Sequence, residues 1–546
     1  MSEAGNLAQE NFLSPTGKAP ATSPKRPSSP QSVVKIQEPP EAATPFQRAP
    51  DATAPQAANG ETEMPWLLRS APADVGLDTR PLEELSQMLQ KKVKAGTIPG
   101  ALCCMVKDNR LVYMEACGYS HLERKLPISS DTIVRLYSNT KNVVAVALMC
   151  LIEDGLLSLD DTVAKYIPSF EQVNVIRAGR QAKRAVTIRD LACHTSGLGY
   201  GAFLDERASG ATERRYQPLV QAVNQGEVKS LEVWCRELAK IPLRSEPGDR
   251  WEYGYSTDVL GRILEMVSGL SLDVLLKERV LGPLGMNNTS FAVPERDIHR
   301  LSALYVTRKT RGGVAVGNGK FRVLDDPYAP SGSCWTEGKR EAILSAGGCI
   351  GSLHGGLVTT ISDLLRFILM LQNGGELDGE RILKKESVEA MTVNALPRAT
   401  DGKCQWMHDK VPGVGWSLLN TSTVCEHTRL PQQYVVGEYG WGGAAGTHWA
   451  VLPKQGLVYA CFVPMAMWNE THPVVQAVTK VLHRVLCLAP RVRGQAANRK
   501  RPLETMTSPS VSGDGAVTRP PAKATHSRFK QIDGVKYDRD ILEQEL

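Results

Sequence analysis

The sequence contains no Cys-x-x-Cys pair and no His-Glu-x-x-His run, although it holds twelve cysteines. Those spacings are what set thiolates or imidazoles around a zinc ion, so no metal site is expected. Cys103 and Cys104 are adjacent, and the others are scattered. Most lie among apolar neighbours, as in "ALCCMV" and "VYACFV", where a thiol behaves as a small buried hydrophobe. No run of ~18 apolar residues is present, so no membrane-spanning helix is expected. The opening "MSEAGNLAQENFLSPTGKAP" has neither the basic start nor the apolar run of a secretory signal. The net charge is only +6 over 546 residues, and much of it sits in Lys25-Arg26 and Arg499-Lys500-Arg501. No basic stripe with interleaved aromatics follows from it, so nucleic-acid binding is not expected. Together these absences point to a cytoplasmic, reduced protein.

Aromatics are also scarce, and the scarcity is uneven. Residues 1–64 hold only Phe12 and Phe46, amid Pro, Ala, Ser, Thr and Gln. From about Pro490 onward only Phe529 and Tyr537 occur. Such segments bury too little apolar surface to offset the entropy of ordering them. The expected organisation is a disordered tail over 1–64, one globular domain over 65–489, and a mostly disordered tail over 490–546. Ser14-Pro15, Ser23-Pro24, Ser29-Pro30, Thr44-Pro45 and Ser508-Pro509 fit proline-directed phosphorylation and equally fit ordinary Pro-rich composition. The tails' partners are not legible. The last stretch, "FKQIDGVKYDRDILEQEL", has the composition of a short binding segment or a docked helix.

Within the middle region the order of elements is informative. "PLEELSQMLQKKVKAG" carries Leu82, Leu85, Leu89 and Val93 near helical spacing. "ALCCMVKDNRLVYMEACGY" reads as two strands around an Asp108-Asn109 turn. A helix after Ser138 places Val143, Val144, Ala147, Leu148 and Leu151 on one side. Far along the chain, "THWAVLPKQGLVYACFVPM" again reads as two strands, and "PVVQAVTKVLHRVLCL" as a final helix. Strands at both ends with helices between predict an α+β fold. One antiparallel sheet is flanked by the terminal helices, with a helical subdomain inserted in the middle.

Ser138 and Lys141 stand three residues apart at the start of the apolar helix. A serine hydroxyl is a weak nucleophile and needs a base within hydrogen-bond reach. Residues i and i+3 share a helix face, and a helix N-terminus offers free N–H groups and partial positive charge. Burial there favours a neutral amine, which can take the serine proton. The pattern alone is common: Ser32-Lys35 and Ser527-Lys530 repeat it in the tails. A capping serine and a solvated lysine fit it as well. Position separates the copies, since only Ser138-Lys141 precedes a long apolar helix in the middle region.

The run "TIVRLYSNTKNVVAVALMCLIEDGLLSLDDTVAKYIP" resembles the nucleophile helix of the serine β-lactamase superfamily. The resemblance continues in order through "VTIRDLACHTSGLGY" (186–200), "SEPGDRWEYGYSTDVLGRILEMVSG" (245–269) and "GPLGMNNTSFAVPE" (282–295). It resumes at "SAGGCIGSLHGGLVTTISDLLRF" (345–367) and "YGWGGAAGTHWAVLPKQGLVYACFV" (439–463). It spans roughly residues 66–488 and implies a β-lactamase/transpeptidase-like fold, with no metal or organic cofactor. By that resemblance Ser138 is the nucleophile, Lys141 its base, and Tyr253 the second-motif tyrosine that relays protons. The N–H groups of Ser138 and Ala444 would form the oxyanion hole. Each residue also has a plain reading: Tyr253 as a packing aromatic, and "GWGGAAG" as a flexible turn.

Two departures bear on substrate. The asparagine expected two residues after the tyrosine is Tyr255, which has no amide to offer a substrate amide. The Lys-Thr-Gly of the third motif is replaced by Trp441-Gly442-Gly443, similar to the carboxylesterase branch. Glycines allow close approach to the strand backbone, and an indole suits a neutral ester better than an anionic antibiotic. The expected substrate is therefore a small carboxylic ester, contacted by Trp441, Gly442, Gly443 and Tyr255. A β-lactamase or D,D-peptidase-like amide hydrolase and a non-catalytic scaffold are the alternatives. Gly254-Tyr255-Ser256-Thr257-Asp258 approaches a nucleophile elbow but ends in Asp, with no preceding strand. His194 is expected to be a structural loop residue, and 200–244 a wall or lid over the cleft.

Overall fold

The computed structural model describes residues 64–176, 179–200, 213–307, 314–316, 320–338, 344–350, 355–396, 413–425, 435–466 and 473–488, with two strands at 529–532 and 535–538. Its main sheet draws strands from both ends of the middle region, as the sequence order predicts. These are β1 (Gly100–Lys107), β2 (Arg110–His121), β3 (Leu126–Pro127), β4 (Val414–Trp416), β5 (Ser422–Val424), β6 (Tyr439–Gly443), β7 (Thr447–Leu452) and β8 (Leu457–Phe462). All neighbours are antiparallel, in the order β4-β5-β6-β7-β8-β1-β2-β3. The first and last long strands thus meet, Leu102 opposite Phe462 and Lys107 opposite Leu457.

Local chemistry sets the turns. Asp108 and Asn109 link β1 to β2 at φ 50° and 59°, the left-handed pair that a two-residue hairpin needs and that Asp and Asn tolerate. Gly456, at φ 57°, closes the turn between β7 and β8.

Period-two alternation sorts β1 between two cores. Ala101, Cys103 and Met105 pack with Leu82, Leu85 and Leu89 of α1 (Arg80–Lys94) and with Val474, Val478, Leu482 and Val485 near the carboxyl end. The latter group lies on a helix spanning Pro473–Leu488. Leu102, Cys104 and Val106 face the opposite way, into the larger core. That core holds α2 (Thr140–Glu153), which is buried on every side from Thr140 to Leu151. The one-sided apolar stripe expected for α2 is therefore too narrow: the helix is an axle with packing all round. Around it stand α3 (Leu231–Leu238), α4 (Ser256–Ser268) and α5 (Ile361–Gln372), in the stretch inserted between β3 and β4. The architecture is α+β, with the terminal helices on one face of the sheet and the inserted helices on the other.

Among the described residues no helix is long and apolar enough to cross a membrane, and no cluster of three or more His, Cys, Asp or Glu could hold a metal. Near the carboxyl end, Phe529–Ile532 and Val535–Asp538 pair as an antiparallel ladder. These described residues are strand rather than the docked helix considered for this stretch, and residues 533–534 and 539–546 of it lie outside the described residues. Asp533-Gly534, the pair favoured in tight hairpin loops, stands between them in the sequence. The expected disordered segments 1–64 and 490–546 fall almost wholly outside the described residues.

Candidate active site

Ser138 lies in a tight turn, Tyr137–Asn139, that runs directly into α2. It is half-buried, whereas its neighbours Tyr137 and Asn139 are fully buried. Tyr137 holds φ 44°, a left-handed conformation that costs a non-glycine residue on the order of 1–3 kcal/mol. The surroundings enforce it. Leu136 N donates to Leu357 O at 2.8 Å, and Leu357 N donates to Thr140 Oγ1 at 3.0 Å. Asn139 Nδ2 donates to Thr447 Oγ1 of β7 at 3.1 Å. Two glycines complete the clamp. A Cβ on Gly348 would strike the Tyr137 carbonyl, and one on Gly443 would strike the Leu136 carbonyl. The serine turn is thus pinned between the 345–350 segment and the end of β6.

Lys141 is fully buried. Its Nζ donates to Tyr200 Oη at 3.0 Å and to the Gly347 carbonyl, and it lies 4.8 Å from the centre of the Tyr253 ring. Two acceptors occupy two of the directions around this nitrogen and leave a third open. Burial pushes the Tyr200 phenol well above its ordinary pKa, so that partner stays protonated. Behind this contact sits Asp258, on the first turn of α4 and fully buried. Its Oδ1 accepts from Gly347 N at 2.8 Å and from Ser345 Oγ at 2.9 Å. Its Oδ2 has no hydrogen-bond partner among the described residues. Burial raises this carboxyl from 3.8 to about 6, against the pull of Gly347 N–H, the Lys141 charge and Ser345.

Tyr253 is half-buried and held on all sides by aromatics. Trp441 Nε1 donates to its Oη at 3.2 Å, which leaves the phenolic hydrogen free to point elsewhere. Trp251 stacks on it at 5.6 Å, His194 tilts against it at 4.6 Å, and Tyr200 meets it edge-on at 5.5 Å. His194 is fully buried, and burial holds its imidazole well below the ordinary pKa, hence neutral. Its Nδ1 accepts from Gly254 N at 3.4 Å. That places it as a support under the Tyr253 loop, in line with the structural role expected of it.

Lys141, Tyr253 and Trp441 therefore converge, with Ser138 one turn along the chain from Lys141, and no hydrogen bond links Ser138, Lys141 and Tyr253 to one another among the described residues. Such bonds are often loose before substrate binds. Gly442 and Gly443 end β6 at the serine turn, and Ala444 follows in the tight turn where Gly446 N donates to Gly443 O at 3.0 Å. Tyr255 stands apart. It is wholly buried, packed against Tyr200 at 4.8 Å and Trp234 at 5.0 Å, and presents no surface to a ligand. Of the expected wall 200–244, residues 201–212 lie outside the described residues.

A family model described as Beta-lactamase matches residues 85–477. The chain belongs to the Beta-lactamase family. Protein Rv1367c of Mycobacterium tuberculosis is 32% identical over 378 residues, covering 67% of this chain and 85% of that protein. Esterase EstB of Burkholderia gladioli is 29% identical over 309 residues, covering 54% and 76%. Among solved structures, EstCE1, described as a hydrolase with promiscuous acyltransferase activity, superposes with a TM-score of 0.57 at 23% identity, over 74% of this chain and 99% of its own.

For this Beta-lactamase family member, reasoning from sequence missed three groups that surround Lys141: Tyr200, the Gly347 carbonyl and Asp258. Tyr200 closes the quoted segment 186–200, so its place in a resembling stretch was a usable signal. Asp258 looks like an ordinary first-turn acid on a helix. The Gly347 carbonyl carries no side-chain signal at all.

Proposed function

We propose that the protein is a serine hydrolase that cleaves small carboxylic esters through an acyl-serine intermediate. The observation that carries this reading is the fully buried Lys141 amine. Its two hydrogen-bond acceptors are Tyr200 and Gly347, and it sits one helical turn from the half-buried Ser138. Ser138 Oγ attacks the ester carbonyl as its proton passes to Lys141. The oxyanion of the tetrahedral intermediate is received by the N–H groups of Ser138 and Ala444. Ala444 N–H makes no backbone hydrogen bond among the described residues, which supports that role. Loss of one such donor typically costs about 3–4 kcal/mol of transition-state stabilisation. Collapse of the intermediate expels the alkoxide, which is protonated from the Lys141–Tyr253 side. Water then attacks the acyl-serine: Tyr253 takes its proton while passing its own phenolic proton to the Lys141 amine, which returns it to Ser138 Oγ as the carboxylic acid leaves.

Trp441 favours an ester over an anionic lactam, since it sets an indole at the Tyr253 hydroxyl. The test is turnover of p-nitrophenyl butyrate by the full chain and by Ser138→Ala, alongside labelling with a fluorophosphonate. Loss of turnover and labelling in a folded variant is expected. Undiminished turnover rejects the nucleophile, and no labelling of the wild type favours a scaffold. Nitrocefin turnover far above ester turnover favours the amide-hydrolase alternative.

A further inference from the structure

We propose that Asp258 is the buried counter-charge of Lys141: it anchors the residue whose carbonyl receives the amine and stabilises the ammonium formed when Ser138 gives up its proton. The proposal rests on the hydrolase reading above. Three observations carry it. First, a single residue links the two groups, since Asp258 Oδ1 accepts from Gly347 N while the Gly347 carbonyl accepts from Lys141 Nζ. Second, the approach is so close that a Cβ on Gly347 would collide with the Asp258 carboxyl. Third, Asp258 Oδ2 is fully buried with no hydrogen-bond partner among the described residues. A carboxylate left in that state is a poor structural choice, and it makes sense when a charge is generated beside it.

The groups around the pair leave Asp258 as the carboxyl that can do this. Lys141 is faced by Tyr200, Tyr253, His194 and Cys349. Asp258 is faced by Lys141 on α2, Cys349 on the 345–350 segment, Tyr200, Tyr255 and Cys235 on α3. Burial keeps Cys349, Cys235, Tyr200 and Tyr255 protonated and His194 neutral. Among the described residues named here, only Asp258 carries a carboxyl. As the serine proton moves to Lys141, a positive charge is placed in a buried site. A carboxylate on the far side of one residue, Gly347, lowers the energy of that cation. Asp258 is thus a positioning and electrostatic residue, since it does not touch the reacting atoms.

The experiment measures the second-order rate of fluorophosphonate labelling of Ser138 against pH, from 5 to 9, on the full chain. In Asp258→Asn the plateau rate is expected to fall about tenfold or more, because the amine becomes a weaker base. Its acid limb is expected to move down by about one pH unit, because the ammonium loses its stabilising neighbour. The variant should melt no lower than the wild type at pH 8, since it removes a buried charge. Ser345→Ala removes one hydrogen bond to the carboxyl but keeps its charge, so its acid limb should stay at the wild-type pH. Should Asp258→Asn fail to fold, Asp258→Ser is a smaller neutral replacement read in the same way. A neutral variant with the wild-type rate and limb overturns the proposal, and so does a limb displaced equally in Ser345→Ala. Absence of labelling in the wild type overturns the hydrolase reading as well, so the two failures are distinct.

Discussion

Glu438 offers a direct check on the electrostatics of the strand that carries Trp441. It immediately precedes β6 and is 7% exposed. Its carboxyl accepts one hydrogen bond, from Val435 N at 3.1 Å. Desolvation pushes its pKa from 4.5 to about 7, with only that backbone N–H pulling it down. The folded state therefore holds this proton more tightly than the unfolded state. Between pH 4.5 and about 7 the native chain binds more protons than the unfolded one, so stability falls as pH rises through that window. At 1.36 kcal/mol per pH unit, the full effect reaches at most about 3 kcal/mol above pH 7. Glu438→Gln keeps the acceptor and removes the charge. It should match the wild type near pH 4 and gain stability progressively up to about pH 7. The gain should then level off at up to about 3 kcal/mol. Urea denaturation of both chains from pH 4 to 8 measures the difference. A gap that does not depend on pH, or one that favours the wild type at pH 8, refutes the reasoning.

Four further outcomes follow from the site. Tyr200→Phe removes an acceptor of the Lys141 amine, which should slow ester hydrolysis about tenfold with little change in KM; an unchanged kcat would show that the contact is idle. Trp441→Phe keeps a ring against Tyr253 but loses the N–H that fixes its hydroxyl. A fall in kcat of about fivefold is expected, read on p-nitrophenyl butyrate, and a gain in kcat contradicts that role. Gly348→Ala sets a methyl against the Tyr137 carbonyl at φ 78°, so it should destabilise the fold by at least about 2 kcal/mol in the same urea assay. Thr187→Ala breaks a capping box with Asp190 and should cost about 1 kcal/mol without altering the pH profile of fluorophosphonate labelling.

Much of the architecture was legible because local chemistry and periodicity agree. Asp108-Asn109 and Gly456 announce hairpins through the backbone conformations they tolerate. The spacing of Leu82, Leu85 and Leu89 announces a helix with one buried face. The alternation in "ALCCMV" carries no such clear face, because β1 is buried on both sides and its neighbours on each face are apolar alike. The α2 helix misled for the same reason: a helix surrounded by protein has no polar side to mark its orientation.

The sequence by itself determined that a serine and a lysine share the start of an apolar helix, and which later segments resemble those that accompany such a pair. Those facts are local or linear, and they survive in the order of residues. Only the tertiary structure decided what surrounds the lysine. Tyr200, Gly347 and Asp258 are separated from Lys141 by roughly 60 to 200 positions, and one of the contacts is a backbone carbonyl that no side chain encodes. It also removed Tyr255 from the cleft, since a tyrosine beside a catalytic loop reads the same whether its ring faces substrate or core. Burial is a property of the packed chain, and at this site burial sets both which charges exist and which of them can act.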